Sequence, residues 1–307
     1  MEIRPTPLRA GDTVRFISPA STPDKANVDS QAEIFESWGL EVEYSKHMLD
    51  KYGFLAGPDS DRIADLNDAI RDPSVRAIIC TRGGKGSYRI VDQLDFSALR
   101  ADPKFLVGFS DNTALHFAFW NQCRIVSLHG GLFGGVLGEI LENTRETLRC
   151  ALMDEDPVGV AARKQEPTSV LTTTGIAEGR LLGGNLSIVG TSAGWLLPNL
   201  SGAILLIEAI EMGPGSTDRV LRMLRRGGHL RDVRGVAIGQ FENCNLKPPT
   251  GILDLLREHF GPLGVPILGG LPIGHGHDPV TVPLGRIARL DADKQVLAFA
   301  GGYGSGR

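Results

Sequence analysis

Ala77-Ile78-Ile79-Cys80, followed after one residue by Arg82-Gly83-Gly84-Lys85-Gly86-Ser87, decides the class of fold. An unbroken apolar run of this length reads as a strand buried on both faces, and the glycine-rich string after it as a tight turn. The same grammar returns at Phe105 to Gly108, then Phe109-Ser110-Asp111-Asn112-Thr113, then a helix through Trp120. Upstream, Val14 to Ser18 is a short strand, and Asp24 to Gly39 a helix with Ala32, Ile34, Phe35 and Trp38 on one stripe. Val42 and Tyr44 lie in the next strand, and Ser60 to Arg71 carries Ile63, Leu66 and Ile70 at helical spacing. Alternating β and α units predict a largely parallel, Rossmann-like sheet with right-handed crossovers. Ligands of such sheets bind at the C-terminal strand ends, where both turns lie.

From Met153 to Thr174 the pattern gives way to charged, Pro-containing and Thr-rich sequence, read as a linker. The expected division is an N-terminal α/β domain over 1–152, a linker over 153–174 and a C-terminal domain over 175–307. In the last, strands are expected at Gly179 to Leu182, Ala203 to Ile207, Gly235 to Gly239, Val265 to Leu268, Thr281 to Val282, Arg286 to Leu290 and Val296 to Ala300. Helices are expected at Thr217 to Arg226 and Ile252 to Phe260. The final four strands sit close together and suggest a mixed or antiparallel region that rolls up. The C-terminal domain is therefore expected to be a smaller, mixed, β-rich α/β unit.

Composition removes several function classes. At 307 residues the chain can bury a large core without disulfide or metal staples. Its 39 glycines follow no G-X-Y period, which excludes collagen-like and low-complexity readings. A net charge of −4 without a basic block argues against a nucleic-acid partner. The N-terminus lacks a signal-peptide apolar region, and no window approaches the ~18 apolar residues of a membrane span. Cys80, Cys123, Cys150 and Cys244 are scattered with no CxxC, which fits a reducing cytoplasm and argues against zinc.

Ser110 stands just beyond a buried strand and just before a helix, where its Oγ would be presented at the sheet edge and helix N–H groups could hold an oxyanion. The match to G-x-S-x-G is half complete, because Asn112 occupies the place of the second glycine. The plain alternative is that Ser110 or Asp111 caps the helix. The Arg82 to Ser87 turn is neither a Walker A loop nor G-x-G-x-x-G, but it can offer bare N–H groups to an anion. Of seven histidines, His116, His259 and His229 read as surface or capping residues, and His47 as a loop residue. His129 ends a strand before Gly130-Gly131, and His275 and His277 lie in a Gly-flanked loop, Leu271 to Asp278, of the kind that carries catalytic groups. That string lacks the further ligands a metal site needs. Glu208 ends the apolar run Ala203 to Ile207, as either a site carboxylate or a buried charge, whereas Glu211 reads as solvated.

Together these strings resemble the LD-carboxypeptidase family of serine peptidases. The likeness rests on Gly57 to Asn67 (GPDSDRIADLN), Ile79 to Arg89 (ICTRGGKGSYR), Val107 to His116 (VGFSDNTALH), Leu128 to Gly131 (LHGG), Gly183 to Leu186 (GGNL), Leu206 to Leu224 and Leu271 to Gly285. The resemblance implies a cofactor-independent Ser-Glu-His triad of Ser110, Glu208 and His275, with the N–H groups of Asp111 and Gly84 as oxyanion donors. Gly83, Asn185 and His129 become candidate substrate contacts. It further implies a homodimer acting on a small peptide, the murein tetrapeptide of cell-wall recycling, or on an aminoacyl-nucleotide in the microcin C immunity branch. A base-stacking aromatic, for which Trp195 is the guess, would mark that second branch. The family's common His-Gly-Pro and Leu-Glu-Asp stand here as His129-Gly130-Gly131 and Ile207-Glu208-Ala209, and His277 is additional. Rivals outside this chemistry are a non-catalytic anion-binding protein and, third, a metallohydrolase.

Overall fold

The computed structural model describes residues 2–132, 139–154, 159–247 and 249–299. Residues 155–158 of the stretch read as a linker, and Ala300 of the last expected strand, lie outside them. The first half forms β1 (Thr13–Ile17), α1 (Lys25–Ser37), β2 (Glu41–Tyr44), α2 (Asp59–Arg71), β3 (Val75–Cys80), α3 (Phe96–Ala101), β4 (Phe105–Gly108), α4 (Thr113–Cys123), β5 (Ser127–His129) and α5 (Glu142–Met153). Its strands are parallel in the order β2-β1-β3-β4-β5. Alternation along the strands sorts the core. Val14, Phe16, Ala77 and Ile79 face α1 through Val28, Ala32 and Phe35, while Ile17 and Ile78 face the side of Leu66, Ile70 and Phe117. The order reverses between β1 and β3, which opens a crevice outside their C-terminal ends.

The second half contributes β6 (Val160–Ala161), β7 (Ile176–Asn185), α6 (Leu186–Thr191), β8 (Ala203–Ile210), α7 (Pro214–Arg226), β9 (Gly235–Glu242), α8 (Ile252–Phe260), β10 (Ile267–Leu268), β11 (Val282–Leu284), β12 (Ile287–Asp291) and β13 (Val296–Phe299). The sheet runs β10-β9-β8-β7-β12-β13-β6, its first four strands parallel and the rest antiparallel. The fold is thus mixed α/β, with a mostly parallel N-terminal sheet and a mixed C-terminal one, as the pattern predicts. The final strands do not roll up together. β10 continues the parallel run, β12 and β13 form an antiparallel pair, and β11 leaves to pair with β5 at the edge of the first sheet. Covering that edge removes a row of unpaired backbone groups, and it fixes the loop before β11 against the first sheet.

α4 is apolar almost all round and nearly every residue of it is buried, because it also packs against α6 and β7. At the opposite end of β4 the fully buried Lys104 donates to the carbonyls of Asp72 (2.8 Å) and Val75 (2.7 Å) and to Asp102 Oδ2 (2.6 Å). This ammonium ties the start of β4 to the start of β3. Lys104→Met keeps most of the volume but takes the buried donor from the Val75 carbonyl and leaves the Asp72 carbonyl to the Val75 N–H, and should lower stability by about 1–3 kcal/mol. Urea denaturation checks this, and the folded variant should keep wild-type turnover.

Candidate active site

Ser110 follows β4 at φ 61°, a backbone region that non-glycine residues rarely occupy. It opens a short 3₁₀ turn, Ser110–Asn112, that feeds α4, and neither the turn nor the helix has a side-chain cap. The capping alternative therefore does not describe what these side chains do. Asp111 instead turns its buried carboxylate to the backbone N–H of Ser87 (2.8 Å), while Ser87 Oγ donates to the Asp111 carbonyl (2.6 Å). Asn112 Nδ2 donates to the carbonyl of Arg82 (3.2 Å). Burial pushes the Asp111 carboxyl up, and the bonds from Ser87 oppose it.

The Arg-Gly-Gly turn lies directly against the serine. A Cβ built on Gly83 would fall 2.8 Å from Ser110 Cβ and 3.0 Å from its Oγ, so a side chain there would occupy the serine's own space. The turn is held from behind by Ser21, whose N–H donates to the Gly83 carbonyl (3.3 Å) and whose Oγ accepts from the Lys85 N–H (3.2 Å). Below it Arg62 of α2 is fully buried and donates to the carbonyls of Pro19 and Gly86 and to Asp59.

Across the seam between the sheets, Glu208 stands on β8 with no exposure to solvent and bonds His275, Oε2 to Nδ1, at 2.6 Å. Burial alone would push the Glu208 carboxyl up. The charge and hydrogen bond of His275 outweigh it, aided by His129 and the Asn185 amide, and hold the carboxyl below its ordinary value. The β8–β9 register slips between Ile207 and Ala209, so that Gly239 and Gln240 together face Glu208. The bulge sends Gln240 to the histidine loop, where Oε1 accepts from the Gly276 N–H (2.9 Å) and Nε2 donates to the His277 carbonyl (3.1 Å). Gly274 has φ 130°, and a Cβ there would lie 2.9 Å from Glu208 Oε2. Only glycine lets the loop approach this closely.

Ser110 and His275 line one open cleft of about 1310 Å³, with Gly83, Gly84, Asp111 and Asn185 among its walls and Trp195, 57% exposed, at its rim. Nδ1 is the His275 ring nitrogen bonded to Glu208, and Nε2 is the other. Glu211 also lines the cleft. His129, expected at the substrate, is completely buried behind these walls, its Nε2 4.0 Å from Glu208 Oε1. His277 is exposed, and Asp278 pairs with Arg163 (2.7 Å) and accepts from Thr144 Oγ1 (3.1 Å). Sequence reasoning missed Arg62 and Gln240. The one legible signal was a polar residue directly after the apolar run of β9.

The two-sheet fold is that of a serine peptidase family, and two family models span most of it. Residues 14–130 match the LD-carboxypeptidase N-terminal domain and residues 178–290 the LD-carboxypeptidase C-terminal domain. The chain belongs to the LD-carboxypeptidase family. It is 33% identical to the Bacillus subtilis protein named "Probable murein peptide carboxypeptidase", covering 100% of this chain and 97% of that one. It is 28% identical to the "Murein tetrapeptide carboxypeptidase" of Pseudomonas aeruginosa over 92% of this chain and 94% of the relative. The MccF-like protein from Bacillus anthracis str. Ames superposes with a TM-score of 0.85 at 26% identity, covering 97% and 99% of the two chains. No described helix is long and apolar enough to cross a membrane.

Two histidines read as surface or capping residues are interior. His116 on the buried α4 bonds Ser127 Oγ and the Gly108 carbonyl, both at 2.8 Å, and His259 bonds Asp218 at 2.8 Å between α7 and α8. Burial pushes His116 down to about 3 and His129 down to about 4, from an ordinary 6.5. Both rings bind a proton more readily in the unfolded chain. Their contribution is complete above pH 6.5 and is lost as the pH falls through the window toward 4. The urea midpoint should therefore drop steadily from pH 6.5 to 4, and His116→Gln should flatten that slope.

Proposed function

We propose that the protein hydrolyses an L,D-peptide bond and releases terminal D-Ala from murein tetrapeptide during cell-wall recycling in the cytoplasm. The observation that carries this reading is the buried His275–Glu208 pair opening on the same cleft as Ser110, whose positive φ lifts it clear of β4. Ser110 Oγ attacks the scissile carbonyl and His275 Nε2 takes its proton. Glu208 orients the ring and stabilises the imidazolium. The tetrahedral oxyanion rests on the backbone N–H groups of Asp111 and Gly84, each worth about 2.7–4 kcal/mol of barrier. Collapse breaks the C–N bond, His275 returns the proton to the leaving amine, and water attacks the acyl-enzyme with His275 as base. Gly83 and Asn185 contact the peptide along the cleft walls. The working unit on this reading is a homodimer with no cofactor. The names of the relatives support the murein substrate.

A second reading is an immunity-type amidase that cleaves an aminoacyl-nucleotide with the same groups. The exposed faces of Trp195, Phe54 and Tyr88 around the cleft favour it, since each can stack on a base. Mass spectrometry of products from an L,D-tetrapeptide and an aminoacyl-sulfamoyl-adenosine, run in parallel, separates the two. Ser110→Ala should cut turnover of the true substrate by about 10⁴-fold or more with an unchanged melting curve. Undiminished D-Ala release by that variant would sink the serine mechanism.

A further inference from the structure

His129 has no part in the mechanism above, yet it is placed as if the acid depended on it. It ends β5, opposite Gly108 of β4 and Val282 of β11. Its ring is fully buried between the edge of the Phe109 ring (centroids 6.4 Å apart), the His116 ring (5.9 Å) and the backbone of Gly184, where an added Cβ would lie 3.2 Å from Cε1. Nε2 stands 4.0 Å from Glu208 Oε1. Neither ring nitrogen has a hydrogen-bond partner among the described residues, and neither has Glu208 Oε1 at ordinary hydrogen-bond length. The Asn185 amide, in register with Glu208 across β7 and β8, also favours the charged form of this carboxylate. Two buried polar atoms that face each other unpaired are each costly, and beside His275 and His129 the Asn185 amide is the other polar group that acts on this carboxylate.

We propose that His129 is a positioning residue for the acid. Its Nε2–H engages Glu208 Oε1 and thereby keeps Oε2 aimed at His275 Nδ1. The inference rests on the serine mechanism proposed above. The imidazole stays neutral at working pH, because burial holds it down at about 4, and a neutral ring has one N–H to give. A separation of 4.0 Å is too long for a hydrogen bond, and a shift of about 1 Å in either side chain makes one. Catalytic hydrogen bonds are commonly long before substrate arrives and tighten in the complex. The ring comes from the first sheet and the carboxylate from the second, so the contact also sets where the His275–Glu208 pair lies relative to Ser110.

The test uses the full-length protein and two readouts: turnover of the L,D-tetrapeptide, and the rate at which a serine-directed organophosphonate labels Ser110. His129→Phe keeps the packing and removes the N–H, and should slow both labelling and kcat at least tenfold with KM within twofold. His129→Gln, which can present an N–H near the same place, should recover to within threefold of wild type. In a Glu208→Gln background His129→Phe should slow labelling no further, whereas a merely structural residue would cost the same in both backgrounds. Unchanged labelling in His129→Phe, or an equal loss with and without Glu208, overturns the proposal even where the fold is weakened. Normal wild-type labelling without tetrapeptide cleavage would reject the murein substrate and leave the His129 comparison intact. Wild-type Ser110 that takes no label overturns both.

Discussion

A carboxylate at the end of β8 with no access to water must find its compensation within hydrogen-bonding reach, because an unpaired buried charge costs several kcal/mol. Glu208 finds it in His275, and much of the second half is arranged to bring that ring to 2.6 Å. The histidine loop can come so close only because residue 274 has no side chain to collide with the acid. The bulge in β9 serves the same end. One extra residue opposite Glu208 re-aims Gln240, whose amide then holds the loop just after His275, at the Gly276 N–H and the His277 carbonyl. Arg163 closes the arrangement by pairing with Asp278 where the loop turns toward β11. Each of these contacts restricts where the imidazole can go, which on the proposed mechanism matters more than the modest net stability any one of them adds.

The serine side is built on a different principle, with backbone held by buried polar side chains rather than a charge held by its partner. Arg62 spends its guanidinium on carbonyls from two loops, those of Pro19 and Gly86. Asp111 and Ser87 exchange bonds so that the turn after β3 and the turn after β4 move as one body. An oxyanion hole made of backbone N–H groups is effective only if those groups do not reorganise during the reaction. The positive φ of Ser110 is sustained by the same network, since a strained residue persists only where its surroundings over-determine it.

Local pattern made the first sheet legible. The strands at 77–80 and 105–108 and the helix at 60–71 are each plain in the local pattern, and alternating units allow few topologies. Pairing choices late in the chain were not legible. β11 is three residues long, and nothing in Val282-Pro283-Leu284 says that it leaves its neighbours to cover β5. His116 was misread because a helix was assumed to have a wet face. The run Leu115, Phe117, Ala118, Phe119, Trp120 already contradicted that, since it leaves no polar side to α4. Ser110 was ambiguous for a sound physical reason: a cap and a nucleophile at a helix entry share the same composition, and only the backbone angle and the missing cap bond separate them. The roles of Arg62 and Gln240 were not legible because their partners are mainly backbone atoms of distant loops, which leave no pattern in side-chain identity.

The candidate groups belong to different sheets, so the geometry of the site is the geometry of the seam. Displacing a reacting group by about 1 Å can cost on the order of 10²-fold in rate, which makes sliding between the halves intolerable. The seam is closed in three independent ways. β11 hydrogen-bonds β5 and carries the end of the histidine loop onto the first sheet. α4, which begins just after Ser110, is packed on its far side against α6 and β7. At the centre the buried N–H of Asn185, directly opposite Glu208 in the β7–β8 register, donates to Thr113 Oγ1 at the start of α4 (3.1 Å). That last bond joins the strand beside the acid to the first residue of the helix behind the serine. A buried polar contact between halves demands one register, whereas apolar packing alone would tolerate several. Thr113 and Asn185 thus fix the acid strand against the serine helix to within the length of a hydrogen bond.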